Sequence, residues 1–158
     1  MKFWLMKSEP DVYGIKHLKK DKVEMWEGCR NYQVRNFFRD DMKVGDLAIF
    51  SHSMCKPAGP AGVMRIVKEA YTDPVQFDKK SKYYDAKSDP KNPRWLCPDV
   101  EFVAEFERTL PLAELRETPG LEDMWALRKG NRISVVPMTR DEFKIVLKLA
   151  GMSLKDVT

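Results

Sequence analysis

Cysteine and histidine are too scarce in this sequence to organise it. The three cysteines, Cys29, Cys55 and Cys97, are odd in number and far apart, with no C-x-x-C pair. With two histidines beside them, this argues against a disulfide framework and against a zinc site. No metal and no cofactor is expected, and a reducing compartment is the simplest inference. No apolar run approaches the roughly 20 residues that a membrane span needs. The opening Met1-Lys-Phe-Trp-Leu-Met-Lys7 is charged too soon for a signal peptide. An intracellular protein follows, cytoplasmic in a bacterium or nuclear in a eukaryote. There is no Walker loop, no G-x-S-x-G elbow and no G-x-G-x-x-G after a strand, so no catalytic residue is nominated. Repeats, low-complexity segments and credible linkers are also lacking, which leaves residues 1–158 as a single domain, expected to be a monomer.

What is present is ordinary in total and uneven in placement. The chain is 43% hydrophobic and 33% charged over 158 residues, enough to bury a core without covalent staples. Its net charge is +4. Residues 1–98 hold 19 Lys+Arg against 13 Asp+Glu, whereas residues 99–158 hold 9 against 11. Of the 17 aromatic residues, 13 lie in the same first stretch. Cations and rings together suggest an anionic, ring-containing partner. The plain alternative is a solvated basic face.

Hydrophobic periodicity predicts short strands at 3–7, 23–26, 47–50, 62–70, 99–107 and 133–136, and helices near 12–18, 31–39, 111–116 and 140–150. In the strand at 99–107, Val100, Phe102, Ala104 and Phe106 alternate as if on one face. Thr139-Arg-Asp-Glu142 reads as a capping box, and Gly151 as the stop of the last helix. The two prolines and two glycines of residues 56–62 predict an irregular loop. The stretch 71–98, rich in Asp, Lys, Pro and Tyr, predicts a long connection pinned by Tyr83, Tyr84 and Trp95. The fold class is α+β, a curled sheet or small barrel with helices at its rim.

Residues 26–38 carry the densest functional signal: Trp26 near Gly28, then Arg30, Asn31 and Tyr32, with Val34, Phe37 and Phe38 spaced as a helix face. Trp26 and Trp95 could sandwich a flat ring, with Asn31, Ser8 and Ser53 reading its edge. Lys7, Arg30 and Arg35 could hold a neighbouring phosphate, and the glycine-proline loop with Lys56 could offer another phosphate contact. The plain alternative places both tryptophans in the core.

Phe3-Trp-Leu-Met-Lys-Ser-Glu-Pro10 and Trp26-x-Gly28-x-Arg30-Asn31-Tyr32-Gln33-x-Arg35-Asn36 closely resemble the EVE domain. The likeness continues through Phe50-x-His52-Ser53, Asn92-Pro93-Arg94-Trp95 and Arg132-x-Ser134-Val135-x-Pro137, covering nearly the whole chain. The resemblance implies a PUA-like fold, a small mixed β-barrel with peripheral helices related to YTH and ASCH domains. It implies a non-enzymatic module that captures a modified nucleobase in DNA or RNA, modified cytosine in DNA being the favoured candidate. By position in the family it makes Trp26 the cage wall and Asn31 the base-edge contact, with Ser8, Phe50, His52, Ser53 and Trp95 lining the same cavity. Cys29, Ser51 and Pro60 depart from the family pattern, which has valine, an aromatic residue and a branched aliphatic residue there. Two other readings stand beside this one. One is an enzyme on a free nucleotide or damaged base that uses His52 or Glu9 as acid or base; the other is a small-molecule or nucleotide sensor.

Overall fold

The computed structural model describes residues 1–158. Six strands form one mixed sheet: β1 (Phe3–Ser8), β2 (Val23–Met25), β3 (Leu47–His52), β4 (Gly59–Thr72), β5 (Leu96–Glu105) and β6 (Val135–Met138), in the order β2-β5-β4-β3-β1-β6. β1 and β3 run parallel, with Phe3 opposite Leu47 and Ser8 opposite His52, and every other pairing is antiparallel. The expected α+β class and mixed sheet are present. The sheet does not close: β2 and β6 are its two edges.

Alternation along the strands divides the interior into two cores, because neighbouring side chains on a strand point to opposite faces. From β1, Phe3 and Leu5 enter one core, and Trp4 and Met6 the other. The first core is covered by α4 (Leu112–Arg116) and α5 (Arg140–Leu149) through Leu115, Phe143, Val146 and Leu147. The second is covered by α2 (Ile15–Asp21) and α3 (Tyr32–Asn36) through Ile15, Leu18 and Val34. Two short helices, α1 (Pro10–Tyr13) and α6 (Leu154–Val157), complete the set. None of these helices is long and apolar enough to cross a membrane.

Several local expectations hold. The Thr139 hydroxyl accepts the Glu142 N–H at 3.1 Å while the Glu142 carboxylate accepts the Thr139 N–H at 2.9 Å, the capping box read from the sequence. Gly151 follows α5 with φ +76, a conformation that costs glycine little. Three expectations fail for identifiable reasons. The helix expected over 31–39 is α only to Asn36 and continues as a π-helical turn over Phe37–Asp41, which still buries Phe38. Residues 59–62 are not loop but the start of β4. Glycine serves close approach there: a Cβ on Gly62 would sit 2.5 Å from the Ala104 carbonyl oxygen and 2.7 Å from Ile15. Finally, Val100 and Phe102 pack on the second core but Ala104 and Phe106 on the first. A register shift, with Val63 opposite Ala104 and Met64 opposite Phe102, inserts one residue and turns the strand over, as a β-bulge does.

Candidate nucleic-acid interface

Four segments converge where the parallel strands β1 and β3 end. The Ser53 N–H donates to the Ser8 carbonyl at 3.0 Å, and the Lys7 N–H donates to the Ser134 carbonyl at 2.8 Å. The Trp26 N–H donates to the Pro98 carbonyl at 2.9 Å, extending the β2–β5 pairing by one residue. The fourth wall is Lys82–Tyr83. Between them lies a groove of about 910 Å³ whose lining includes Lys7, Ser8, Trp26, Arg30, Ser53 and Ser134.

A buried carboxylate fixes the Tyr83 wall. The Asp73 side chain is 0% exposed and accepts the Arg30 guanidinium and the Gly28 N–H, each at 2.9 Å. Arg30 also donates from Nε and Nη2 to the Tyr83 carbonyl, at 3.0 and 2.9 Å. Gly28, at φ +90, lies against the Tyr83 ring, and a Cβ there would meet three ring carbons at 2.8–2.9 Å. The sequence WEGCR therefore folds as a hub that ties the loop after β4 to the end of β2. Arg30 is spent on that hub, with most of its donors committed.

Trp26 is only 7% exposed and stands edge-on to the fully buried Phe50, with ring centroids 5.4 Å apart. It belongs both to the second core and to the groove wall. Lys7 is half-buried and makes no ion pair or side-chain hydrogen bond; burial pulls its pKa below the usual lysine range. Glu27 also lines the groove, and burial raises its pKa above the ordinary carboxylate value. Cys29 is a wall residue too, and burial pushes its thiol up to about 11, so it is protonated and unreactive near neutrality.

The structure thus brings Lys7, Ser8, Trp26, Arg30 and Ser53 to one groove, together with Glu9 of the enzymatic reading, and leaves the other nominated residues outside its lining. Asn31 is exposed and caps α3, its side-chain oxygen accepting the Val34 N–H at 3.0 Å. Asparagine at a helix start is well suited to that role. Phe50 lies beneath Trp26 without reaching the groove lining. The His52 Nε2 accepts the Ile15 N–H at 3.1 Å, and burial lowers its pKa. Trp95 cannot sandwich a ring against Trp26. Its indole N–H donates to Asp85 at 2.8 Å, and its ring packs on Tyr32 at 4.8 Å. The Arg35 guanidinium lies 4.7 Å over Tyr32 and donates to Asn36. Lys56 is exposed in the turn between β3 and β4. Among the groove residues given no site role from the sequence are Glu24, Glu27, Lys82, Asn131, Arg132 and Ser134, and Tyr83, expected only to pin the long connection. Arg132 and Ser134 stood in a recognisable motif, but nothing local marked them as neighbours of Trp26.

An unclosed six-stranded mixed sheet with helices over both faces is a PUA-like α+β fold. The chain belongs to the EVE domain family, matched over residues 2–149. It is 47% identical to thymocyte nuclear protein 1 of Danio rerio, over 92% of this chain and 71% of that protein. Its structure is similar to a crystal structure from Pseudomonas syringae with a TM-score of 0.91 and 42% identity, covering 94% of this chain and 99% of that one. It is also similar, with a TM-score of 0.87 and 43% identity over 95% and 98% of the two chains, to the human THYN1 protein in complex with 5-methylcytosine containing DNA.

Proposed function

We propose that this protein is a non-enzymatic nucleic-acid-binding module that captures one modified nucleobase in the groove beside Trp26, a modified cytosine in DNA being the favoured target. The observation that carries this reading is Lys7, a half-buried ammonium without a carboxylate partner, set in the same groove as an aromatic wall. Holding such a cation partly out of water is costly unless an anion arrives to meet it. A phosphate is that anion, and the indole of Trp26 is the surface on which the attached base stacks. The similar human protein bound to 5-methylcytosine containing DNA supports DNA as the polymer. Of the two residues the enzymatic alternative would use, His52 lies outside the groove lining with Nε2 occupied by the Ile15 N–H, while Glu9 lines it with no histidine beside it.

The test is fluorescence anisotropy with oligonucleotides that differ at one cytosine, unmodified or 5-methylated, at two salt concentrations. The parent protein should prefer the modified strand, with affinity falling as salt rises. Trp26→Leu, chosen to keep the core filled, should remove the preference and leave weak, salt-sensitive binding. Stacking on an aromatic ring contributes about 1–3 kcal/mol, a loss easily read in such titrations. If Trp26→Leu discriminated as the parent does, the groove would be the wrong site. Tight binding of free nucleotides with none of oligonucleotides would favour the sensor reading instead.

A further inference from the structure

A groove meant for a polyanion should not contain an unpaired carboxylate, yet this one does. Glu27 follows Trp26 directly, lines the same groove, and is half-buried. It forms no ion pair, and its side chain accepts no hydrogen bond from another residue. The nearest cation by sequence, Arg30, is drawn away by Asp73 at 2.9 Å and by the Tyr83 carbonyl. Glu27 therefore differs from the two other carboxylates of the lining: Glu24 accepts the Met25 N–H at 2.8 Å, and Glu9 is exposed to solvent. At this depth a carboxylate met only by its own backbone N–H repels phosphate. What it can favourably meet is a hydrogen-bond donor on the base.

We infer that Glu27 is a specificity-determining residue of the groove, accepting the exocyclic amino group of the captured base and so selecting an aminopyrimidine over its oxo counterpart. This rests on the proposed reading of the groove as a base-capture site. The chemistry is that by which a carboxylate accepts from the cytosine N4 amine in direct readout. Thymine carries the same 5-methyl group as 5-methylcytosine but presents a carbonyl oxygen at position 4. That oxygen would face the Glu27 carboxylate as one acceptor against another. A site whose polar group is left unmatched rejects such an analogue far more strongly than an apolar wall can.

The experiment uses the intact chain and DNA duplexes in which one test base stands opposite an abasic site, so that no base pair has to be broken. The test base is cytosine, 5-methylcytosine, uracil or thymine. The parent should bind 5-methylcytosine over thymine by about tenfold or more, the scale of one good base-edge contact. Glu27→Met, which removes the acceptor but keeps the length of the side chain, should bring that ratio close to one. Glu27→Gln, which keeps an acceptor oxygen without the charge, should retain most of it. Neither variant should lower the thermal midpoint, because each removes an unpaired, half-buried charge. An unchanged ratio in Glu27→Met overturns the role of Glu27, as does equal loss in both variants or a parent that never separates the two bases. Absence of binding to all four duplexes by the parent would instead overturn the base-capture reading of the groove, and the role of Glu27 with it.

Discussion

Two arginine–carboxylate pairs in this protein have nearly the same length, and their difference in burial sets what each contributes to stability. The Arg30–Asp73 contact is 2.9 Å and the Arg39–Asp40 contact 2.8 Å. The Asp73 side chain is 0% exposed and Arg30 20%, whereas Arg39 and Asp40 are 51% and 53% exposed. Replacing Arg30 by Met leaves the Asp73 carboxylate in place with only the Gly28 and Val75 N–H groups to meet it. It also strips the Tyr83 carbonyl of two donors. Breaking a buried pair from one side costs about 3–5 kcal/mol, because the charge that remains is uncompensated. For a chain of this size that corresponds to a fall of roughly 6–20 °C in the unfolding midpoint. Arg39→Met should change stability little, since an exposed pair is screened and its partner is simply rehydrated. Urea unfolding of both variants, compared at constant m-value, measures the difference directly. Adding Asp73→Asn to Arg30→Met should recover part of the loss by removing the stranded charge. If Arg30→Met proved no more destabilising than Arg39→Met, the hub at the groove wall would not be the buried, charge-balanced structure described above.

Lys7→Ala should weaken oligonucleotide binding and reduce the slope of log affinity against log salt by about one, the effect of losing one phosphate contact. Lys56→Ala, exposed and outside the groove lining, should change neither in the same titrations. His52 contributes to the pH dependence of stability, since burial lowers its folded pKa below the ordinary value of 6.5 and its Nε2 must stay unprotonated to accept the Ile15 N–H. The unfolded chain therefore binds the proton more readily. Stability should be level with respect to this group above about pH 6.5 and decline as pH falls towards the lower folded pKa. His52→Gln should flatten that part of the profile in thermal scans.

Strand positions and the last helix were legible in the sequence because their signals are local. A capping box, a terminal glycine and a period of two or 3.6 all act over a few residues, as in Thr139–Gly151. The β5 alternation misled for the opposite reason: the bulge that turns Ala104 away from Phe102 is set by pairing with β4, which the residues of β5 do not encode. The site divides in the same way. Trp26 and the cluster around it could be recognised from spacing and from the family motif, but what each side chain does could not. Asn31 reads from the sequence as a base contact, and only the start of α3 directly after it shows its side-chain oxygen engaged as a helix cap. Trp95 reads as a second aromatic wall until Asp85 and Tyr32 are seen to hold it elsewhere. The residues missed, from Lys82–Tyr83 and Asn131–Ser134, reach the groove through contacts spanning much of the chain, so nothing in their own neighbourhood announces them.

The charges around the groove separate by depth, and that separation gives the proposed capture its order of events. Lys82 and Arg132 are exposed, while Lys7 and Glu27 are half-buried. Exposed cations act through a field that salt screens within about 8–10 Å. They raise the rate of encounter with any strand and carry little information about its sequence. Glu27 has the opposite character, repelling the phosphates that the outer cations attract. A strand that merely lies across the mouth gains the outer attraction and keeps its backbone away from the carboxylate. A base that enters exchanges water at Glu27 for its own donor or, lacking one, leaves the carboxylate desolvated and unpaired. Buried polar groups are expensive when left unmatched, so the penalty falls on the wrong base after encounter rather than before it. Discrimination on this account belongs in the dissociation rate, and salt dependence chiefly in the association rate.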